Sequence, residues 1–221
     1  MTTRGAVIFD MDGVLSDSQE PAAIMESQQL ARYGIVMSPE AITKRFAGVS
    51  DPAFDSTIFQ EAGKTADVES LVAEKWDLFM TQMRGQVKEI PGAVDTARRL
   101  QQAGFALAIA SSSIPEFIKL VVEELGIGDA FSALTSGTEV RHGKPDPDVF
   151  LLAAQRLGIE PARCVVIEDA VNGMQAAHRA GMKCVGLIQP HLIEMYENPP
   201  ADIIVNHHEQ ITPELIRRLL S

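Results

Sequence analysis

Short aliphatic runs alternate with helix-period segments along this chain of 221 residues, and the alternation predicts its elements. Ala6-Val7-Ile8-Phe9, Phe105-Ala106-Leu107-Ala108-Ile109-Ala110 and Cys164-Val165-Val166-Ile167 are almost continuously apolar and bounded by turn residues or helical patterns. That is the pattern of strands buried on both faces of a parallel sheet. Cys184-Val185-Gly186-Leu187-Ile188 and Ile203-Ile204-Val205 follow at shorter spacing. Helical segments between the runs predict βαβ units, and therefore an α/β fold built on a doubly wound parallel sheet.

Helix starts are marked by Ser38-Pro39, Asp51-Pro52, Asp146-Pro147 and Thr212-Pro213, each placing a side-chain acceptor before a proline suited to the first turn. Ser113 and Glu116 have capping-box spacing. Gly34, Gly104, Gly126, Gly158 and Gly181 fall where helices would end. From about Ser16 to Pro91 the periodicity is helical with no convincing strand, and Val68, Leu71, Val72, Leu78, Phe79 and Met83 trace an amphipathic face. The expected organisation is a Rossmann-like core over residues 1–16 and 91–221 with a small helical domain inserted at 17–90. Its hinges would lie near Ser16-Asp17-Ser18 and Ile90-Pro91-Gly92.

With 46% apolar and 22% charged residues the chain is able to bury a core, which excludes a disordered segment. Nineteen Lys+Arg against thirty Asp+Glu give a net charge of −11, which argues against a nucleic-acid backbone as partner. No apolar run is long enough for a membrane helix, and the start, Met1-Thr2-Thr3-Arg4-Gly5, lacks the shape of a signal peptide. A cytoplasmic protein without a membrane partner is expected. Cys164 and Cys184 read as buried reduced thiols, and no metal is expected at His191, His207 or His208. Nothing in the pattern fixes the oligomeric state.

The chemistry gathers at strand ends. After the first strand come Asp10 and Asp12, two residues apart and so on one side of an extended chain. Asp-Gly after a strand is also an ordinary turn signal. The Cys164 strand ends in Glu168-Asp169, and in a parallel sheet these acids reach the same edge. Two like charges about 4 Å apart repel by about 4 kcal/mol at an effective dielectric near 20, so four acids call for a cation. Carboxylate oxygens with neither His nor Cys suit Mg²⁺, which shares its coordination sphere with phosphate. Ser111-Ser112-Ser113 ends the second strand with hydroxyls at a helix start, where anions bind. Lys144 sits on a stiff Gly143-Lys144-Pro145 turn. Together these groups supply the parts that phosphoryl transfer needs.

Asp10-Met11-Asp12-Gly13-Val14-Leu15-Ser16-Asp17-Ser18, then Ser111, Lys144 and Glu168-Asp169, resemble in order the four motifs of the haloacid dehalogenase-like hydrolases. Ile167-Glu168-Asp169-Ala170-Val171-Asn172-Gly173 is similar to the subgroup of β-phosphoglucomutase and sugar-phosphate phosphatases. The resemblance implies that Asp10 is the nucleophile, forming an aspartyl-phosphate, and Asp12 the acid and base. It implies that Ser111 and Lys144 hold the phosphoryl group. Mg²⁺ would be bound by Asp10, the Asp12 carbonyl and Asp169, with Glu168 binding directly or through water. The insert would be the family's cap, closing over a small phosphorylated metabolite: a sugar, polyol or sugar-acid phosphate.

Gly48, Ser112, Lys75 and Asn172 are candidate substrate contacts, with Lys44 and Arg45 watched beside them, and for all three cations the alternative is a solvated helix position. Trp76 and Phe46 read as packing within the cap. The family's mutases carry a histidine after the first motif and a cationic cap loop. Here those stretches read Gln19-Glu20-Pro21-Ala22 and Phe46-Ala47-Gly48-Val49-Ser50-Asp51, which favours net hydrolysis over a β-phosphoglucomutase-like reaction. A phospho-acceptor signalling domain or a non-catalytic binding domain is the alternative of another class. Its motif order differs, and the insert has no place in a receiver domain. A dinucleotide-binding fold is disfavoured because no Gly-x-Gly-x-x-Gly follows the first strand.

Overall fold

The computed structural model describes residues 5–188 and 198–221. Residues 1–4 and His191 lie outside the described residues. Six parallel strands form one sheet: β1 (Ala6–Phe9), β2 (Ala106–Ser111), β3 (Ala133–Ser136), β4 (Cys164–Glu168), β5 (Lys183–Leu187) and β6 (Ile203–Val205), in the order β3-β2-β1-β4-β5-β6. This is a doubly wound Rossmann-like sheet. Strand β3 is the one the hydrophobic pattern did not predict.

Alternation along the strands sorts their side chains onto two faces. Val7, Phe9, Leu107, Ile109, Val165 and Ile167 join one cluster with α5 (Ala93–Gln102), α6 (Pro115–Glu124) and α9 (Pro213–Leu219). Ala6, Ile8, Ala108, Ala110, Cys164 and Val166 join the other, against α7 (Asp148–Leu157) and α8 (Val171–Arg179). Both faces are covered, which is why these strands read as continuous apolar runs. Cys164 and Cys184 are buried free thiols.

Between β1 and β2 lie α1 (Gln19–Ala31), α2 (Pro39–Phe46), α3 (Asp51–Glu61) and α4 (Val68–Met83). They bury their own cluster of Ala23, Leu30, Ile42, Phe54, Ile58, Phe59 and Leu71, and the Gln29 amide of α1 donates to the Leu71 carbonyl of α4 at 2.9 Å. The buried stripe of α4 is Leu71, Lys75, Trp76, Phe79 and Met83, whereas Leu78 is exposed. The expected face was thus wrong at Leu78, which lies next to inward Phe79 in sequence and about 100° from it on the helix. Trp76 and Phe79 also stack on Phe117 of α6, tying α4 to the sheet layer. The two crossings run side by side: Asp17 N–H donates to the Lys88 carbonyl at 2.9 Å and Ile90 N–H to the Leu15 carbonyl at 3.0 Å. Among the described residues no helix is long and apolar enough to cross a membrane.

Two predicted caps shift. Ser50, not Asp51, precedes α3, and Pro147 precedes α7. Ser113 caps nothing, because Ile114 is the residue before α6 and the Ser113 hydroxyl is used elsewhere.

His208, on the short turn before α9, is buried, and its Nε2–H donates to the Val14 carbonyl at 2.7 Å, bracing the loop after β1. Burial holds this imidazole below the ordinary histidine value of 6.5. The unfolded chain therefore binds the proton first, so the stability that neutral His208 contributes is complete above pH 6.5 and lost as pH falls below it. Urea midpoints at pH 7.5 and 5.5 should show a larger acid-side loss in the wild type than in His208→Gln; parallel shifts in the two proteins would contradict this.

Candidate active site

Register brings the chemistry to one edge. Phe9 pairs with Ile109 of β2 and with Ile167 of β4, so the residues that follow emerge together at the carboxyl end of the sheet, where the strand order reverses. Asp10 N–H closes the edge by donating to the Ile167 carbonyl at 2.9 Å.

Lys144 reaches Asp10 and Glu168 from the α7 side. Its buried ammonium bonds Asp10 Oδ1 and, at 2.8 Å, Glu168 Oε1. The other Glu168 oxygen accepts from Ala170 N–H at 2.7 Å. Glu168 thus faces Lys144 and its own loop, and both its oxygens are engaged. Expected to bind the metal directly or through water, Glu168 has both oxygens held by Lys144 and Ala170 N–H in this structure. Gly173 allows this approach, since a Cβ there would collide with the Glu168 carboxylate. Burial pushes the Asp10 carboxyl up, against the pull of Lys144, and the nearby Glu168 and Asp12 charges push the same way. Lys144 is held above the ordinary lysine range by its two carboxylates although burial opposes its charge.

Asp12 accepts three hydroxyls: Ser18 on Oδ1 at 2.5 Å, and Ser111 and Ser113 on Oδ2 at 3.1 and 2.8 Å. Ser18 and Ser113 were not among the expected site residues. A run of serines at a strand end was the available signal for Ser113. Ser111, expected on the phosphoryl group, is fully buried and serves Asp12 while accepting from Ser113 N–H.

Gln19, also unpredicted, holds the most informative position. Its Nε2 donates to the Asp12 carbonyl at 3.0 Å and to Asp169 Oδ2 at 2.7 Å. Two acceptors expected to ligate a metal therefore converge on a single donor atom. Gly13, at φ +84°, makes this possible, because a side chain there would run into Asp169 and Gln19. Burial and the Glu168 and Asp10 charges raise the Asp169 carboxyl well above the carboxylate range. Among the described residues no three His, Cys, Asp or Glu side chains form a metal-ligating group. The donor set is two carboxylates and a main-chain carbonyl, all hard oxygens, which suits Mg²⁺.

Asp10, Asp12 and Asp169 line one cavity with Ser112, Ser113, Gly48 and Lys75. Its remaining wall comes from α1 to α4, including Phe46 and Trp76, so these aromatics face the cavity as well as packing. Ser112 Oγ donates to the Gly48 carbonyl at 2.9 Å and Asn172 Nδ2 to the Ala47 carbonyl at 3.1 Å. These candidate contacts join the α2–α3 loop to the sheet edge, and Asn172, satisfied by Ala47, does not line the cavity. Lys44 and Arg45 are exposed and off the cavity, Arg45 pairing with Glu61. Lys75 is neither solvated nor free: it is buried between Glu26 and Asp51.

Residues 5–181 match the haloacid dehalogenase-like hydrolase model, and the chain belongs to that family. It is 32% identical to β-phosphoglucomutase of Bacillus subtilis over 96% of this chain and 93% of that one. Fructose-1-phosphate phosphatase YqaB of Escherichia coli is 31% identical over 81% of this chain and 94% of its own. A family hydrolase from Deinococcus radiodurans, solved with bound phosphate and sodium, superposes with a TM-score of 0.70 at 30% identity, covering 100% of this chain and 99% of that one.

Replacing Lys144 with Met leaves Asp10 and Glu168 buried without a counter-charge. Guanidinium unfolding should show a loss of about 3–5 kcal/mol, the usual cost of breaking a buried pair. Adding Glu168→Gln should recover part of it; no recovery would mean that the lysine acts through packing alone.

Proposed function

We propose that the protein is an Mg²⁺-dependent phosphatase that hydrolyses small phosphorylated metabolites through an aspartyl-phosphate on Asp10, with residues 17–90 as a cap over the site. The observation that carries this reading is the convergence of the Asp12 carbonyl and Asp169 Oδ2 on one point beside Asp10, on the wall of a cavity shared with α1 to α4. Asp10, Asp169 and the Asp12 carbonyl would hold the ion, with the Gln19 amide moving aside. When bound, Mg²⁺ offsets charge on the transferring phosphoryl group.

The chain's own groups do the rest. Lys144 orients Asp10 and opposes the rise that burial imposes on its carboxyl, and an Asp10 oxygen forms the new bond to phosphorus while the ester bond to the leaving oxygen breaks. Asp12, entering the step protonated and aimed by its hydroxyl partners, gives that oxygen its proton and is left as the carboxylate that acts next. In the second step water attacks the phosphoryl group, Asp12 takes the water's proton, and phosphate leaves with Asp10 regenerated. Ser112, whose hydroxyl donates to the Gly48 carbonyl in this structure, would donate to a phosphoryl oxygen once that loop parts from the sheet edge.

Phosphate release from a panel of sugar and polyol phosphates should require Mg²⁺, cease with EDTA, and fall by about a thousandfold or more in Asp10→Asn. Isomerised sugar phosphate formed in the presence of a bisphosphate, without net phosphate release, would replace this reading with a phosphomutase.

A further inference from the structure

The cavity wall built by the inserted helices carries a charge cluster that the phosphoryl chemistry leaves unused. Lys75 of α4 lies between Glu26 of α1 and Asp51 of α3; its ammonium bonds Glu26 Oε1 at 2.7 Å and also contacts Asp51 Oδ1. Asp51 Oδ2 accepts from Trp76 Nε1–H at 2.7 Å. All three charged side chains are largely buried and line the cavity together. One cation between two carboxylates leaves the cluster with an excess negative charge. Asp55, buried nearby, feels it: burial and the Asp51 and Glu26 charges push its carboxyl up to about 6 although Lys75 pulls the other way.

Among the described residues that line the cavity, Lys75 is the sole lysine or arginine. A second phosphate or a carboxylate on the substrate would therefore find no uncommitted cation there. It would have to break a buried pair, or sit against Glu26 and Asp51, and like charges brought together in a desolvated site discriminate strongly. A hydroxyl group meets the opposite situation, because each carboxylate has more lone pairs than its present partners fill. Phe46 and Trp76 on the same wall offer apolar surface for the C–H faces of a carbon chain or ring.

We propose, resting on the phosphatase reading above, that the Glu26–Lys75–Asp51 cluster selects the substrate by charge. The site takes phosphomonoesters whose remainder is uncharged and polyhydroxylated, and turns away sugar-acid phosphates and bisphosphates.

The test compares kcat/KM with Mg²⁺ for sorbitol 6-phosphate, 6-phosphogluconate and fructose 1,6-bisphosphate. The polyol ester is expected to be favoured over both by about tenfold or more. Glu26→Gln leaves Lys75 paired with Asp51 and removes the excess charge, so the preference over 6-phosphogluconate should shrink by about fivefold. A ratio near one in the wild type, or a ratio unmoved in a folded Glu26→Gln protein, overturns the proposal. The wild-type ratio decides alone if the variant folds poorly. Hydrolysis of p-nitrophenyl phosphate, lost in Asp10→Asn, separates the two readings. With that activity present, a flat profile defeats the charge rule only; with no ester turned over, the phosphatase reading falls and the charge rule falls with it.

Discussion

The sheet edge is held together by a buried ammonium. Lys144 lies between Asp10 and Glu168 where water does not reach, and two carboxylates packed there without it would repel each other and pay the full cost of desolvation. Much of the local architecture serves that contact. Gly173 lets Glu168 tuck under α8, Ala170 N–H fixes its second oxygen, and Asp10 is pinned through its own N–H to β4. A pair this constrained sets where the Asp10 oxygen stands, the pre-positioning that the role proposed for it requires.

Negative charge remains in excess even so. Asp12 is stabilised by neutral hydroxyls and Asp169 by a neutral amide, neither of which cancels a charge. Burial first, and the neighbouring carboxylates after it, raise the Asp10 and Asp169 carboxyls.

Asp10, Asp12, Lys144 and Asp169 were legible in the sequence because each sits at a strand end or on a turn whose neighbours identify it, and a parallel sheet carries strand ends to one edge. Gln19 and Ser18 were not, since nothing local distinguishes an amide or hydroxyl that bonds a carboxylate from one that bonds water, and Gln19's second partner, Asp169, lies 150 residues away; Ser113 was legible only as one of a run of serines at a strand end. Strand β3 escaped because Ala133–Ser136 is four residues long and half polar. On α4 the periodicity was right and the polarity misled: the inward stripe steps 71, 75, 79, 83, with a lysine in it. A charged residue on an apolar face reads as outward unless the acids that bury it, here on α1 and α3, are already known to be near.

Besides the Gln19 amide of α1 on the Asp12 carbonyl and Asp169, the inserted helices are fastened to the sheet layer in two further ways. At α4 the fastening is aromatic, Trp76 and Phe79 against Phe117, a contact without direction that tolerates sliding. At the α2–α3 loop it is two hydrogen bonds between uncharged groups, Ser112 to Gly48 and Asn172 to Ala47. Such bonds contribute about 1 kcal/mol each in net terms, so parting this loop from the sheet edge gives up roughly 2 kcal/mol, a loss that thermal motion meets often. Because no ion pair is among them, the ionic strength of the medium has little leverage on how readily the two surfaces separate.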